Sequence, residues 1–226
     1  MRGRVLVGLA MALAAGVFVT APLSAQGRRG RGGARGGGFT RDEPKWWGSV
    51  WGGYQWSNPV GDPATSSVWD YDANWAVRFA AERTVAPNTT IGVAYSYSRL
   101  PLTIRGSTTA SECRIPCSAD GTIASYGLML HSGGGPGLHL VYEGFLGAMQ
   151  FSNFTVAGDG ATRYATLKNT DLAWMLSPGI GYSLSRDFQL LMMLDVGNSV
   201  HEKASDLFQR RTTRHYTTRV GVRVGL

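Results

Sequence analysis

Two groups of residues in this chain of 226 have the types and spacing to do chemistry. The first is six charges that fall in the middle of alternating stretches: Arg78, Glu82, Glu143, Asp195, Arg219 and Arg223, three of each sign. Charges so placed either pair as an internal network, because a lone buried ion costs several kcal/mol, or line a selective polar pathway. Asp195 and Arg219 are natural neighbours, each seven residues from the same end of adjacent extended segments. The second group is the four histidines, His131, His139, His201 and His215. Histidine beside serine is the arrangement that activates a hydroxyl for acyl transfer. His131 and Ser132 are consecutive, so on a strand they point to opposite faces. His201 and His215 have serines nearby and are expected at a solvated rim. There is no metal-ligand cluster, phosphate-binding loop or nucleophile elbow. The reading is therefore a non-enzyme, with no catalytic residue, metal or cofactor expected.

The elements that carry these residues are strands. Eight segments alternate with period two: 46–57, 73–84, 89–97, 122–131, 138–151, 171–184, 188–198 and 216–226. The last shows the pattern without interruption. Tyr216, Thr218, Val220, Val222, Val224 and Leu226 alternate with Thr217, Arg219, Gly221, Arg223 and Gly225. Connections alternate too. Those at 86–88, 132–137 and 185–187 are tight, whereas those near 58–72, 99–121, 152–169 and 199–214 are long and polar. Tight turns at one end and long loops at the other describe an up-and-down barrel that crosses a membrane.

One face of every strand is aliphatic and aromatic; the other carries glycine, serine, threonine and all six charges. A lipocalin-like binder would turn the charged face to water, whereas a membrane barrel turns the apolar face to lipid. The aromatics decide for the membrane. Trp46, Trp56, Trp75, Tyr97, Tyr126, Trp174, Tyr182, Phe188 and Tyr216 sit toward strand ends on the apolar face, where amphipathic rings meet the two interfaces. Met129, Phe145, Met149, Met175, Leu191 and Met193 fall on the inner face. They fill a core or line a passage for small apolar molecules.

Upstream, Arg2 and Arg4 precede an uncharged run from Val5 to Leu23 ending Leu23-Ser24-Ala25. This is the layout of a secretory signal peptide over residues 1–25. Residues 26–44 form a glycine- and arginine-rich periplasmic tether that cannot build a core, leaving 45–226 as the barrel domain. The net charge is +7, but setting aside Arg2, Arg4 and the tether's Arg28, Arg29, Arg31 and Arg35 leaves about +1. A basic chain with a nearly neutral folded part is no argument for nucleic acid, and none is expected as a partner. Cys113 and Cys117 enclose three residues of the longest loop. In an exported protein this spacing points to a disulfide, with two reduced thiols the alternative.

Over 45–226 the chain resembles the small eight-stranded outer-membrane barrels of the OmpA, OmpX and OmpW type. In that group the final strand carries an assembly signal. Arg219, Gly221, Val224 and Leu226 occupy its positions here, with leucine in place of the usual terminal aromatic. The resemblance implies short periplasmic turns, long extracellular loops and an integral outer-membrane location. It also implies contact with outer-membrane lipid, lipopolysaccharide and the outer-membrane assembly machinery, as a monomer. The role it implies is envelope structure or surface interaction. An OmpW-like passage for small apolar molecules stands as the alternative, ahead of a lipid A-modifying enzyme.

Overall fold

A computed structural model describes residues 44–62, 67–105, 117–156, 169–201 and 211–226. The signal peptide and the tether lie outside the described residues, apart from Pro44. So does Cys113, and of Cys117 only the backbone is described, as the first residue of a strand.

Ten antiparallel strands follow one another: β1 (Trp46–Ser57), β2 (Val60–Asp62), β3 (Ser67–Tyr71), β4 (Asn74–Ala86), β5 (Thr89–Arg105), β6 (Cys117–Ser132), β7 (Gly137–Val156), β8 (Asn169–Ser185), β9 (Phe188–His201) and β10 (Arg211–Gly225). Eight of them form the wall. β1 lies between β10 and β4, each later wall strand pairs with its successor, and β5 pairs with β6, so the sheet is closed with no free edge. β2 and β3 form a small extension, with β3 paired to the far end of β5 at Leu102 to Arg105.

The register fixes the shape. One row of partners runs Trp46, Arg83, Ile91, Leu130, Gly144, Leu176, Val196, Tyr216 and returns to β1 at Trp56. The closing stagger is thus ten residues, from 46 to 56. Closure with such a stagger tilts the strands by about 40° and leaves an interior just wide enough for side chains to fill. The tight turns come where the chain supplies suitable backbones. Asn88, at φ 56°, accepts the left-handed conformation that ends β4, which its short polar side chain tolerates.

Burial alternates along every wall strand, as period two requires. The outward set is apolar: Val50, Phe79, Val93, Leu128, Leu146, Leu176, Met192 and Val220 are all roughly half exposed. By the tilted register, Trp46, Tyr142, Tyr182 and Phe188 fall near the tight-turn end. Tyr54, Trp56, Trp75, Tyr97, Tyr126, Trp174 and Tyr216 fall near the long-loop end. Ten residues of tilted strand separate Trp46 from Trp56, a span of about 25 Å, matching the apolar band of such barrels. β5, β6 and β7, at 17, 16 and 20 residues, exceed the roughly ten a tilted crossing needs. They therefore project past the band on the long-loop side. The sequence pattern read all three short: the expected loop at 99–121 is strand as far as Arg105 and again from Cys117, and that at 152–169 is strand as far as Val156.

Candidate functional site

All six mid-strand charges point inward and are nine-tenths buried or more. They fall into two layers. Toward the tight-turn end, Arg223 Nη2 donates to Glu82 Oε2 at 2.8 Å and to Thr90 Oγ1 at 2.9 Å. Its Nε and Nη1 reach Glu82 Oε1 at 3.3 Å and Gln189 Oε1 at 3.1 Å, and Thr90 in turn donates to Glu82. Near mid-barrel, Arg219 Nε straddles the two Asp195 oxygens at 2.9 and 3.0 Å, while its Nη2 donates to Glu143. Arg78 stands 3.8 Å from both Glu143 and Asp195. Since a carboxylate only accepts, His131 Nδ1 donates to Glu143 Oε1, at 3.1 Å.

Strand pairing explains why these groups meet. Thr217 is opposite Asp195 on β9, so Arg219 sits two residues along and reaches back diagonally to it. Glu143 is directly opposite His131. Glu82 is opposite Gly92, two positions from Thr90. Arg223 meets Glu82 across β1, on which Trp47 lies between them.

The inward tryptophans are what the sequence pattern did not pick out. Trp47 and Trp51 share the parity of Ser49 and Gly53 and are 4% and 2% exposed. The Arg223 guanidinium lies 4.1 Å from the Trp47 ring centroid, and that of Arg219 lies 4.0 Å from Trp51. A ring face of negative potential is a good neighbour for a desolvated guanidinium. The signal was available: two tryptophans four residues apart, on the face already assigned to polar residues. Trp51 also accounts for Gly221. A Cβ there would stand 2.5 Å from Trp51 Cδ2, so the glycine of the terminal-strand motif is required by local packing. Val224 and Leu226 point outward, and Arg219 inward.

His215 departs from the expectation of a solvated rim. It is 3% exposed, with Nδ1 at 2.7 Å from Ser57 Oγ and Nε2 at 2.9 Å from Ser199 Oγ. In the neutral ring one of these nitrogens donates and the other accepts. The reason for burial is parity: His215 pairs with Gly197 on β9 and Ser57 on β1, both on the inner face. His139 is half-buried near the tight-turn end, its Nδ1 2.9 Å from the Gly137 carbonyl. The side chain of His201 lies outside the described residues.

The six inward apolar residues are all buried, in two groups. Met129, Phe145, Met149 and Met175 join Leu100, Leu102, Ile123 and Phe151 in one cluster along the β5–β8 wall. Leu191 and Met193 pack with Trp51 and Val141. Between the charged mid-barrel layer and His215 lies a cavity of about 30 Å³. That is room for two or three waters. Arg78 Nη2 and Arg219 Nη1, which have no hydrogen-bond partner among the described residues, belong to side chains lining it. Among the described residues no cluster of three or more histidine, cysteine, aspartate or glutamate side chains is arranged to hold a metal ion.

No protein-family model matches the chain, and no curated protein matches it significantly in sequence. The fold itself is shared. Neisserial surface protein A matches at 11% identity and a TM-score of 0.55, covering 82% of this chain and 100% of that one. The outer membrane protein OprG from Pseudomonas aeruginosa matches at 9% identity and a TM-score of 0.51, covering 81% of this chain and 98% of that one. The chain therefore has the closed eight-stranded antiparallel fold of small outer-membrane barrels.

Proposed function

We propose that this chain is an integral outer-membrane barrel with a closed lumen, serving envelope structure or surface interaction and not catalysis. The observation that carries the reading is the inverted distribution of polarity. The outer face is a continuous apolar band with aromatic edges, and the ionised groups are sealed inside. Water would penalise that outer face over its whole area, and lipid would not. A lipocalin-like protein has the opposite arrangement. The long strands β5 to β7 and the β2–β3 extension raise sheet beyond the band, where a surface partner is met.

A second reading is favoured by the apolar cluster on the β5–β8 wall, which runs from the long-loop end toward mid-barrel. It would serve the entry of small apolar molecules if the side chains that fill the lumen moved aside. Planar bilayers separate the two. The closed barrel gives no steady conductance, because the charged layers and Trp51 fill the cross-section. A reproducible open level that changes on Arg78→Gln or Glu143→Gln would overturn closure. Catalysis is tested by lipid A profiling on expression. An altered acylation pattern abolished by His215→Ala would displace the structural role, with Ser57 and Ser199 the hydroxyls to replace next.

A further inference from the structure

Of the six inward charges, Arg78 is the one held at a distance. It is 5% exposed, yet the carboxylates of Glu143 and Asp195 both stand 3.8 Å from it, beyond hydrogen-bond length. Its Nη2 has no hydrogen-bond partner among the described residues. Arg219 gives Nε and Nη2 to the same two carboxylates and keeps Nη1 without a partner among the described residues. A guanidinium only donates, and a buried donor left unmet costs free energy. Both arginines line the lumen cavity, to which all eight wall strands contribute. Its wall is richer in donors than in acceptors. Gln55 and Thr217, cross-strand partners on β1 and β10, add an amide and a hydroxyl. Ser96 and Ser125 hydrogen-bond each other, so one of the two hydroxyls keeps its proton for the cavity. Asp195 is the one carboxylate among the described residues lining it, and both its oxygens already accept from Arg219 Nε. Glu143 balances the layer in number but is not in the cavity wall; its oxygens meet His131 and Arg219. The charges of the wall, two positive and one negative, therefore leave +1 beside the cavity. Out of water such an excess acts strongly.

We infer that the cavity is a binding site for one small monovalent anion of halide size. The anion accepts hydrogen bonds from the Arg78 guanidinium, the Thr217 hydroxyl and the Gln55 amide, contacts that gain strength because one partner is ionised. A volume of about 30 Å³ holds two or three waters, so a halide with a water beside it fits and a polyatomic organic anion does not. That size limit makes the site selective. The charged layer and Trp51 close the lumen next to it, so the ion is held and not conducted. The site belongs to the lumen alone and does not depend on which membrane holds the barrel.

The test uses the full chain folded in detergent. Urea midpoints are measured as sodium chloride replaces sodium gluconate, whose anion is too large for the cavity, at fixed ionic strength. In the wild type the midpoint should rise and then level off as one site fills, and bromide should act as chloride does. Arg78→Gln should lose that dependence. Thr217→Val keeps the shape and removes one donor. It should raise the half-saturating chloride concentration about tenfold, the worth of a hydrogen bond to a charge, and it carries the test where Arg78→Gln fails to fold. Arg214→Gln, on the outer face, should respond like the wild type. Crystals soaked in bromide should show one anomalous peak inside the barrel, beside Arg78. Three results would each overturn the assignment: water alone in the cavity, a bromide peak without any chloride dependence in solution, or Arg78→Gln and Thr217→Val responding as the wild type does.

Discussion

Arg219 holds the mid-barrel layer together. It is bonded to Asp195 and Glu143 and stacked on Trp51, so its removal leaves two buried carboxylates with Arg78, 3.8 Å from each, as their remaining guanidinium. Replacing it with glutamine should cost about 3–5 kcal/mol, read as a lower urea midpoint for the detergent-folded barrel. Replacing the exposed Arg214 should leave that midpoint where it is, because a solvated charge contributes little. Tyr71 gives a second residue-scale expectation. It packs against the apolar cluster beyond the apolar outer band, and burial, with the Asp171 charge adding, pushes its phenol up to about 12. The unfolded chain releases that proton near pH 10, while the folded chain keeps it to about 12. Between these values the folded state holds more protons, so stability falls as pH rises through the window. Denaturation midpoints at about pH 9 and about pH 11 should differ less in Tyr71→Phe than in the wild type.

At the scale of the element, the terminal strand shows how one position serves the strand beside it. β10 places Gly221 under Trp51 of β1, and that close approach lets the indole lie flat beneath the Arg219 guanidinium. Gly221→Ala puts a methyl group 2.5 Å from the ring, so the seam between first and last strands must open or Trp51 must turn. Folded yield after dilution from urea should fall severalfold. Gly48→Ala, whose Cβ meets nothing within 4 Å, should fold like the wild type. Equal yields from the two would mean that the glycine in β10 is not there for packing.

Over the whole molecule, the proposed membrane placement gives the two faces two solvents. Val220 is 57% exposed in the middle of the apolar band, and an arginine there meets lipid at a cost of about 2–4 kcal/mol. Its neighbour Arg219 is held inside by carboxylates. Val220→Arg should therefore impair insertion into vesicles, seen as loss of the heat-modifiable form, although it adds a charge that the adjacent position already carries. Insertion as efficient as the wild type would reverse the facing of the whole sheet, because shifting register by one residue exchanges every side chain between lumen and lipid.

Period two is a property of the backbone, so the sequence alone determined which residues share a face. Eight amphipathic runs, sorted turns and interfacial aromatics were enough for the class of fold and for placing all six charges on one face. Pairing is different: it depends on how strands from distant parts of the chain are staggered when the sheet closes. Only the tertiary structure showed that Arg223 reaches Glu82 across β1, that Arg219 is shared between Asp195 and Glu143, and that His131 completes the layer. The inward tryptophans and the buried His215 were hidden for a related reason. A large ring is tolerated inside only where a partner strand leaves room for it, as Gly221 does for Trp51. That room is made by residues far away in sequence, and it exists only once the barrel is closed.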